Sequence, residues 1–183
     1  HRDELVIDFS KENLNNRLKE LFTTDNLKSF AIKYDVTESN SWSLDLAIKK
    51  EVALKNEKLR KITYRPFDER SIYYSDNFVD RTRNNVGKEI VKENLVLNFP
   101  KIVKVDWCHS LITKSIPTAI SMDINGTYFA PLYLYPETNG QQTIRQTTER
   151  IPNLNTEIVK QIADKLGLAF TNEKETTKDT FAP

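Results

Sequence analysis

Tyr64-Arg65-Pro66-Phe67-Asp68-Glu69-Arg70-Ser71-Ile72-Tyr73-Tyr74 is the stretch at which the chain changes period. Before it, apolar residues recur at helical spacing. From Arg60 onward, Ile62, Tyr64 and Phe67, and then Ile72-Tyr73-Tyr74, read as two strands, with Pro66-Phe67-Asp68-Glu69 as the turn between them. A sheet that follows a run of helices, rather than alternating with them, predicts an α+β fold.

Toward the N-terminus, Leu5-Val6-Ile7 reads as a short edge strand. Ser10 is placed as an N-cap with Glu12 in the first turn, and Leu14, Leu18, Leu21 and Phe22 follow on one helical face. A second helix is expected at about Asp25–Lys33, with Leu27 and Phe30 inward. A third is expected from about Ser43 to Asn56, with Leu44, Ala47, Ile48 and Leu54 on one face and Lys49, Lys50 and Glu51 near the other.

Toward the C-terminus, Asp80–Glu93 is polar and expected to be helical in its second half. Leu95–Phe99 reads as a strand ended by Pro100. Ile102–Val105, Trp107–Thr113 and Thr127–Tyr135 are further strand candidates, the last interrupted by Pro131. Pro136–Arg150 has the composition of an exposed loop. Asn155 caps a helix whose apolar stripe is Ile158, Val159, Ile162, Ala163 and Leu166, and Gly167 is its stop. The architecture expected is therefore N-terminal helices, a central mixed or antiparallel sheet region and a C-terminal amphipathic helix. Residues 1–170 are expected to form a single α+β domain, and residues 171–183 a flexible tail.

Apolar residues make up 38% and charged residues 29%, enough for one core and too balanced for a disordered chain. Net charge is +1, but it is unevenly spread. Residues 60–104 hold 10 Lys and Arg against 6 Asp and Glu, a local +4, while the segments on either side are slightly negative. A local basic excess is what an electrostatic footprint for nucleic acid needs. Cys108 is the single cysteine, so no internal disulfide forms, and a reducing, cytoplasmic setting is expected. No apolar run reaches the length of a membrane span, so no membrane partner is expected. The chain begins at His1 and its single methionine is Met122, which reads as a piece of a longer polypeptide.

Enzyme chemistry finds little support. The histidines are His1 and His109, so a nucleophile–histidine system would have to use His109. One cysteine and two histidines make no strong zinc site. Four glycines in all leave no phosphate-binding or dinucleotide fingerprint. No catalytic residue and no metal ligand is assigned, and the chain is expected to be non-catalytic.

The basic, aromatic centre carries the most information. Arginine offers a planar fork for phosphate or for guanine O6 and N7, and asparagine reads adenine in the same bidentate way. In strict strand alternation Arg65 would point away from Tyr64 and Pro66. Two readings of Tyr64–Tyr74 stand side by side. Arg65 and Arg70 contact DNA, or they pair with Asp68, Glu69 or Asp76 while the tyrosines fill the core. Arg81-Thr82-Arg83-Asn84-Asn85 is polar throughout and is expected to face solvent.

At these residues the chain resembles a known family. Tyr64-Arg-Pro-Phe-Asp-Xaa-Arg-Xaa-Ile-Tyr-Tyr74 with Arg81-Xaa-Arg83 is similar to the specificity region of single-polypeptide restriction–modification enzymes of type ISP and related adenine DNA methyltransferases. Arg2-Asp3 with Leu5-Val6, Glu93-Asn94-Leu95, Trp107 with His109, Phe129-Ala-Pro-Leu-Tyr-Leu-Tyr-Pro136, Ile151-Pro-Asn-Leu-Asn155 and Thr180-Phe-Ala-Pro183 fit in order, so the resemblance covers nearly the whole chain. It implies a bacterial DNA target-recognition domain. A methyltransferase core of the same polypeptide, and helicase and nuclease activities, lie elsewhere in such enzymes. The Asn-Pro-Pro-Tyr-type catalytic motif is missing from this chain, as is the cofactor motif. No cofactor is therefore expected here, and S-adenosylmethionine belongs to the parent enzyme.

The expected partner is double-stranded DNA. Arg65, Arg70, Arg81, Arg83, Lys88, Lys101 and Lys104 are the expected cationic contacts. Asn84, Asn85, Gln141, Gln142 and Arg145 are candidates for base edges. The alternative reading is a structural domain that docks the methyltransferase core to its neighbours and touches DNA little. An independent hydrolase built on His109 is a third reading.

Overall fold

Ser10, Asn26, Ser43 and Asn155 each begin a helix, because a short polar side chain satisfies a backbone N–H that the first turn leaves open. The structure, a computed structural model, describes residues 2–79, 89–90, 92–103, 110–122, 126–135 and 150–183. Helix α1 (Arg2–Val6) leads into strand β1 (Ile7–Asp8), so the expected strand Leu5-Val6-Ile7 is split. Leu5 and Val6 end a helical turn and are buried, and only Ile7 belongs to the sheet edge. Arg17 explains the switch. Its Nη1 donates to the carbonyls of Glu4 (2.7 Å), Leu5 (3.3 Å) and Ile7 (3.3 Å), and its Nη2 pairs with Asp8. Carbonyls left open at the end of α1 are thereby satisfied from the next helix.

That helix, α2 (Lys11–Thr23), buries Leu14, Leu18 and Leu21, as its spacing predicts. Helix α3 (Leu27–Lys33) starts at the Asn26 cap and buries Phe30, with Leu27 partly covered. Helix α4 (Leu44–Glu51) is shorter than its expected span. It ends at Val52, whose φ of 66° breaks the helical hydrogen-bond ladder.

Glu51, read as lying near the charged face, is instead 2% exposed. Its carboxylate accepts from Lys58 Nζ (2.5 Å), Ser75 Oγ (2.6 Å), Asn77 Nδ2 (2.7 Å) and the Tyr73 hydroxyl (3.0 Å). Burial alone would raise its pKa. The four donors, Lys58 first, outweigh burial and hold the carboxyl down at about 2.

Strands β2 (Leu59–Arg65) and β3 (Asp68–Tyr73) form the hairpin that the period change predicts. Strand β4 (Val96–Pro100) carries Pro100 as its last residue rather than stopping before it. β5 (Leu111–Thr113), β6 (Ile116–Pro117) and β7 (Thr127–Pro131) follow. The first sheet has the order β1-β3-β2-β6, antiparallel except that β6 runs parallel to β2. The second, β5-β4-β7, is antiparallel. Residues 101–103 are not a strand, so the described part of the expected Ile102–Val105 strand is a bend. The core lies between the N-terminal helices and the first sheet. Leu5, Leu14, Leu18, Ile62, Ile72, Tyr73 and Phe78 fill it, with Val96 joining from the second sheet. The α+β expectation holds.

Beyond the sheets, β8 (Tyr133–Leu134) pairs with β9 (Ile151–Pro152), and α5 (Thr156–Leu166) runs from its Asn155 cap to Gly167, which takes φ 65°. The apolar stripe of α5 is present but uncovered, with Ile158 55%, Ile162 42% and Leu166 58% exposed. Segment 171–183, read as a flexible tail, has local structure. β10 (Ala169–Phe170) and β11 (Thr180–Phe181) pair in parallel, and the rings of Phe170 and Phe181 meet edge to face at 5.3 Å. Thr171 and Thr180 hydroxyls hold the connecting turns. Among the described residues, no helix is long and apolar enough to cross a membrane.

Candidate nucleic-acid interface

Two of the expected contact residues, Arg65 and Arg70, sit on the β2–β3 hairpin. The register there is Thr63↔Glu69 and then Arg65↔Asp68, which leaves Tyr64 as an extra residue, a β-bulge. The bulge breaks the alternation that would have sent Arg65 away from Tyr64. Arg65 instead lies over the Tyr64 ring, its Cζ 4.6 Å from the centroid, and its Nη1 donates to the Tyr64 carbonyl at 2.8 Å. A guanidinium carries five N–H donors, so this bond does not exhaust it.

Arg70 is more tightly held. Its Cζ lies 3.9 Å from the Tyr64 centroid and 4.1 Å from that of Phe9. Its Nε donates to both oxygens of Asp68 (3.0 and 3.1 Å), and Nη2 donates to Oδ2 at 2.8 Å. These hydrogen bonds, more than simple attraction between the charges, lower the Asp68 pKa. Arg70 thus follows the pairing alternative, whereas Arg65 makes no carboxylate pair among the described interactions. Of the tyrosines, Tyr73 is fully buried, and Tyr64 and Tyr74 are half-buried.

Lys101 follows β4 on the second sheet, exposed, with its backbone N–H on the Gly126 carbonyl at 2.9 Å. Its Nζ is 5.5 Å from the Tyr128 ring, and Tyr128 in turn stands 5.6 Å from Phe99. Arg65 and Arg70 therefore belong to one sheet and Lys101 to the other. Arg81, Arg83, Asn84, Asn85, Lys88, Lys104, Gln141, Gln142 and Arg145 lie outside the described residues, as does His109. Arg150, which closes the expected loop, is described. Its Nε and Nη2 pair with Glu173 at 2.7–3.1 Å, and its Cζ lies 4.0 Å from the Tyr133 ring.

Sequence reasoning missed Phe9, Phe67, Phe99 and Tyr128 as surface groups. All four are exposed: Phe9 lies against Arg70, Tyr128 near Lys101 with Phe99 against it, and Phe67 at the turn. Strand alternation gave no signal for Phe99, because Leu97 and Phe99 are the more apolar alternating pair in sequence whereas the structure buries Val96 and Asn98. Among the described residues, no group of three His, Cys, Asp or Glu is placed to hold a metal. The arrangement offers cations mounted on aromatic rings, which suits binding of an anion.

The family description that matches the chain is the Type ISP C-terminal specificity domain, over residues 1–182. Two solved structures are similar in fold. One is the ATP-dependent Type ISP restriction-modification enzyme LlaBIII bound to DNA, with TM-score 0.59 and 18% identity, covering 87% of this chain and 11% of that one. The other is the DrdV-DNA complex, with TM-score 0.56 and 18% identity, covering 91% of this chain and 16% of that one. A search of curated proteins finds no match. The chain thus spans less than a fifth of either structural relative, and the likeness at this identity is one of fold.

Proposed function

The chain belongs to the family of Type ISP C-terminal specificity domains, and from that premise we propose that it reads the DNA target for a longer bacterial restriction–modification polypeptide. The family match across residues 1–182 carries the reading. The two fold relatives, each a DNA complex, support it. So does the hairpin, whose arginines stand on aromatic faces at the start of the basic region.

In this reading the parent polypeptide is a site-specific adenine methyltransferase that takes S-adenosylmethionine in its own core and works in the cytoplasm, whether or not it also carries helicase and nuclease activities. This chain contributes recognition and no chemistry. Arg65, Arg81, Arg83, Lys88, Lys101 and Lys104 contact phosphate. Asn84, Asn85, Gln141, Gln142 and Arg145 read bases. Arg70, held by Asp68, Tyr64 and Phe9, supports the hairpin more than it faces a ligand.

The uncovered stripe of α5 favours a second reading, a domain that docks against its neighbours in the parent and touches DNA little. Salt separates the two. Neutralised phosphates release counterions, so the affinity of the chain for duplex DNA should fall steeply between low and physiological salt. A salt-independent or undetectable affinity would favour docking.

A further inference from the structure

Arg65 opposes Asp68 in the β2–β3 register, so Pro66 and Phe67 alone turn the chain. The proline ring fixes φ near −65°. Phe67 then takes φ 62°, in the left-handed region. Proline followed by a left-handed residue is the pattern of a type II turn, and that second position usually holds glycine or asparagine. A bulky L-residue there costs about 1–2 kcal/mol. The fold does not recover this cost through burial, because Phe67 is 89% exposed, the most exposed of the large apolar side chains described.

A strained, uncovered phenyl on a rigid tip calls for a ligand. The tip is rigid because Arg70 is chelated by Asp68 and lies against Tyr64 and Phe9, while Arg65 lies over the same tyrosine. Arg70 and Lys61 are paired with Asp68 and Glu69, but Arg65, beside the turn, makes no carboxylate pair among the described interactions and keeps donors to spare, which favours an anionic ligand over an apolar protein surface. Apolar wedges that unstack a base step are a known way for proteins to deform DNA, and phenylalanine is among the residues used.

We propose that Phe67 is such a wedge. The hairpin tip inserts its ring at a base step of bound duplex, and Arg65 holds the adjoining backbone. The contact is stacking, so it adds affinity and deformation without reading an individual base. This rests on the DNA-binding reading above and adds to it the residue that distorts the duplex.

The test uses the full-length polypeptide that carries this domain and two short duplexes. One is fully paired; the other has a mismatched step with 2-aminopurine beside it. The wild type should prefer the mismatched duplex, whose step is already loosened, and should brighten the 2-aminopurine. Phe67→Gly should lose that preference and the signal and bind about 10-fold more weakly. Phe67→Trp should keep them. Because glycine relieves the turn, Phe67→Gly should also unfold at the same or a higher temperature. If the wild type binds DNA and Phe67→Gly matches it in affinity, preference and fluorescence, the wedge is wrong and the DNA-binding reading stands. Wild-type protein that binds neither duplex defeats both. A clear drop in unfolding temperature for Phe67→Gly would make Phe67 a structural residue and overturn the proposal.

Discussion

Glu51 Oε1 stands 2.5 Å from Lys58 Nζ, and this pair joins the C-terminal end of α4 to the 3₁₀ turn that opens β2. The carboxylate is almost wholly buried, whereas the lysine side chain keeps 28% of its surface. The lysine can therefore turn to water if its partner is lost, but the hydroxyls of Ser75 and Tyr73 and the amide of Asn77 cannot follow it.

The pair has a pH signature. The folded pKa of Glu51 lies below its ordinary value of 4.5, at about 2, so its contribution to stability is complete above pH 4.5 and is lost as pH falls toward 2. Acid unfolding should show a loss of roughly 3 kcal/mol across that window. In Glu51→Gln the slope from this group should vanish, and stability near neutral pH should drop by about 1–3 kcal/mol. Urea unfolding as a function of pH measures both.

Arg70 should matter for the fold rather than for salt-dependent binding. Arg70→Lys keeps the charge but loses the bidentate grip on Asp68 and the stacking on Tyr64 and Phe9. The expected cost is about 1 kcal/mol of stability, moderated because both partners of the ion pair are 24% exposed. The salt slope of DNA binding should not change. Parallel denaturation and titration experiments check the two halves.

Arg81 and Arg83 are predicted from sequence to contact phosphate. Changing both to alanine should weaken binding of the full-length parent about equally on all DNA sequences and lower the salt slope by roughly two units. Unchanged slope and affinity would make them ordinary surface charge.

The segment between Pro136 and Arg150 supplies the base-reading candidates. Gln142→Ala and Arg145→Ala should reduce discrimination between the cognate site and single-base variants by about 1–3 kcal/mol for each true base contact. Non-specific binding should move little for the neutral Gln142. Intact discrimination in both would send the search for base readout to Asn84 and Asn85.

The elements legible in the sequence are those fixed by local chemistry. Capping residues and apolar spacing placed α2 and α5, and the period change placed the β2–β3 hairpin. Tertiary events account for the misses. Val52 turns left-handed and shortens α4, and the donors that draw Glu51 inside come mostly from β3 and the residues after it. The bulge at Tyr64 puts Arg65 where simple alternation forbids it. An apolar stripe says that a helix seeks cover and not where it finds it, which is why α5 was foreseen and its exposure was not. The site was legible as a basic aromatic centre. The division between a structural Arg70 and an outward Phe67 was not, because it depends on which side chains the turn brings together.

The parallel pairing of Phe170 with Phe181 sets an exit point for whatever follows Pro183. Because the two strands run parallel, the chain leaves beside Thr171, on the side away from Gly167, whereas a fluorophore carried at the exposed Asp179, whose carbonyl takes the Ala169 N–H, would sit at the turn that follows α5. It would sense whatever comes to rest on that helix, while a label on Phe67's hairpin would sense DNA. Two colours on one chain would then report on each kind of partner separately.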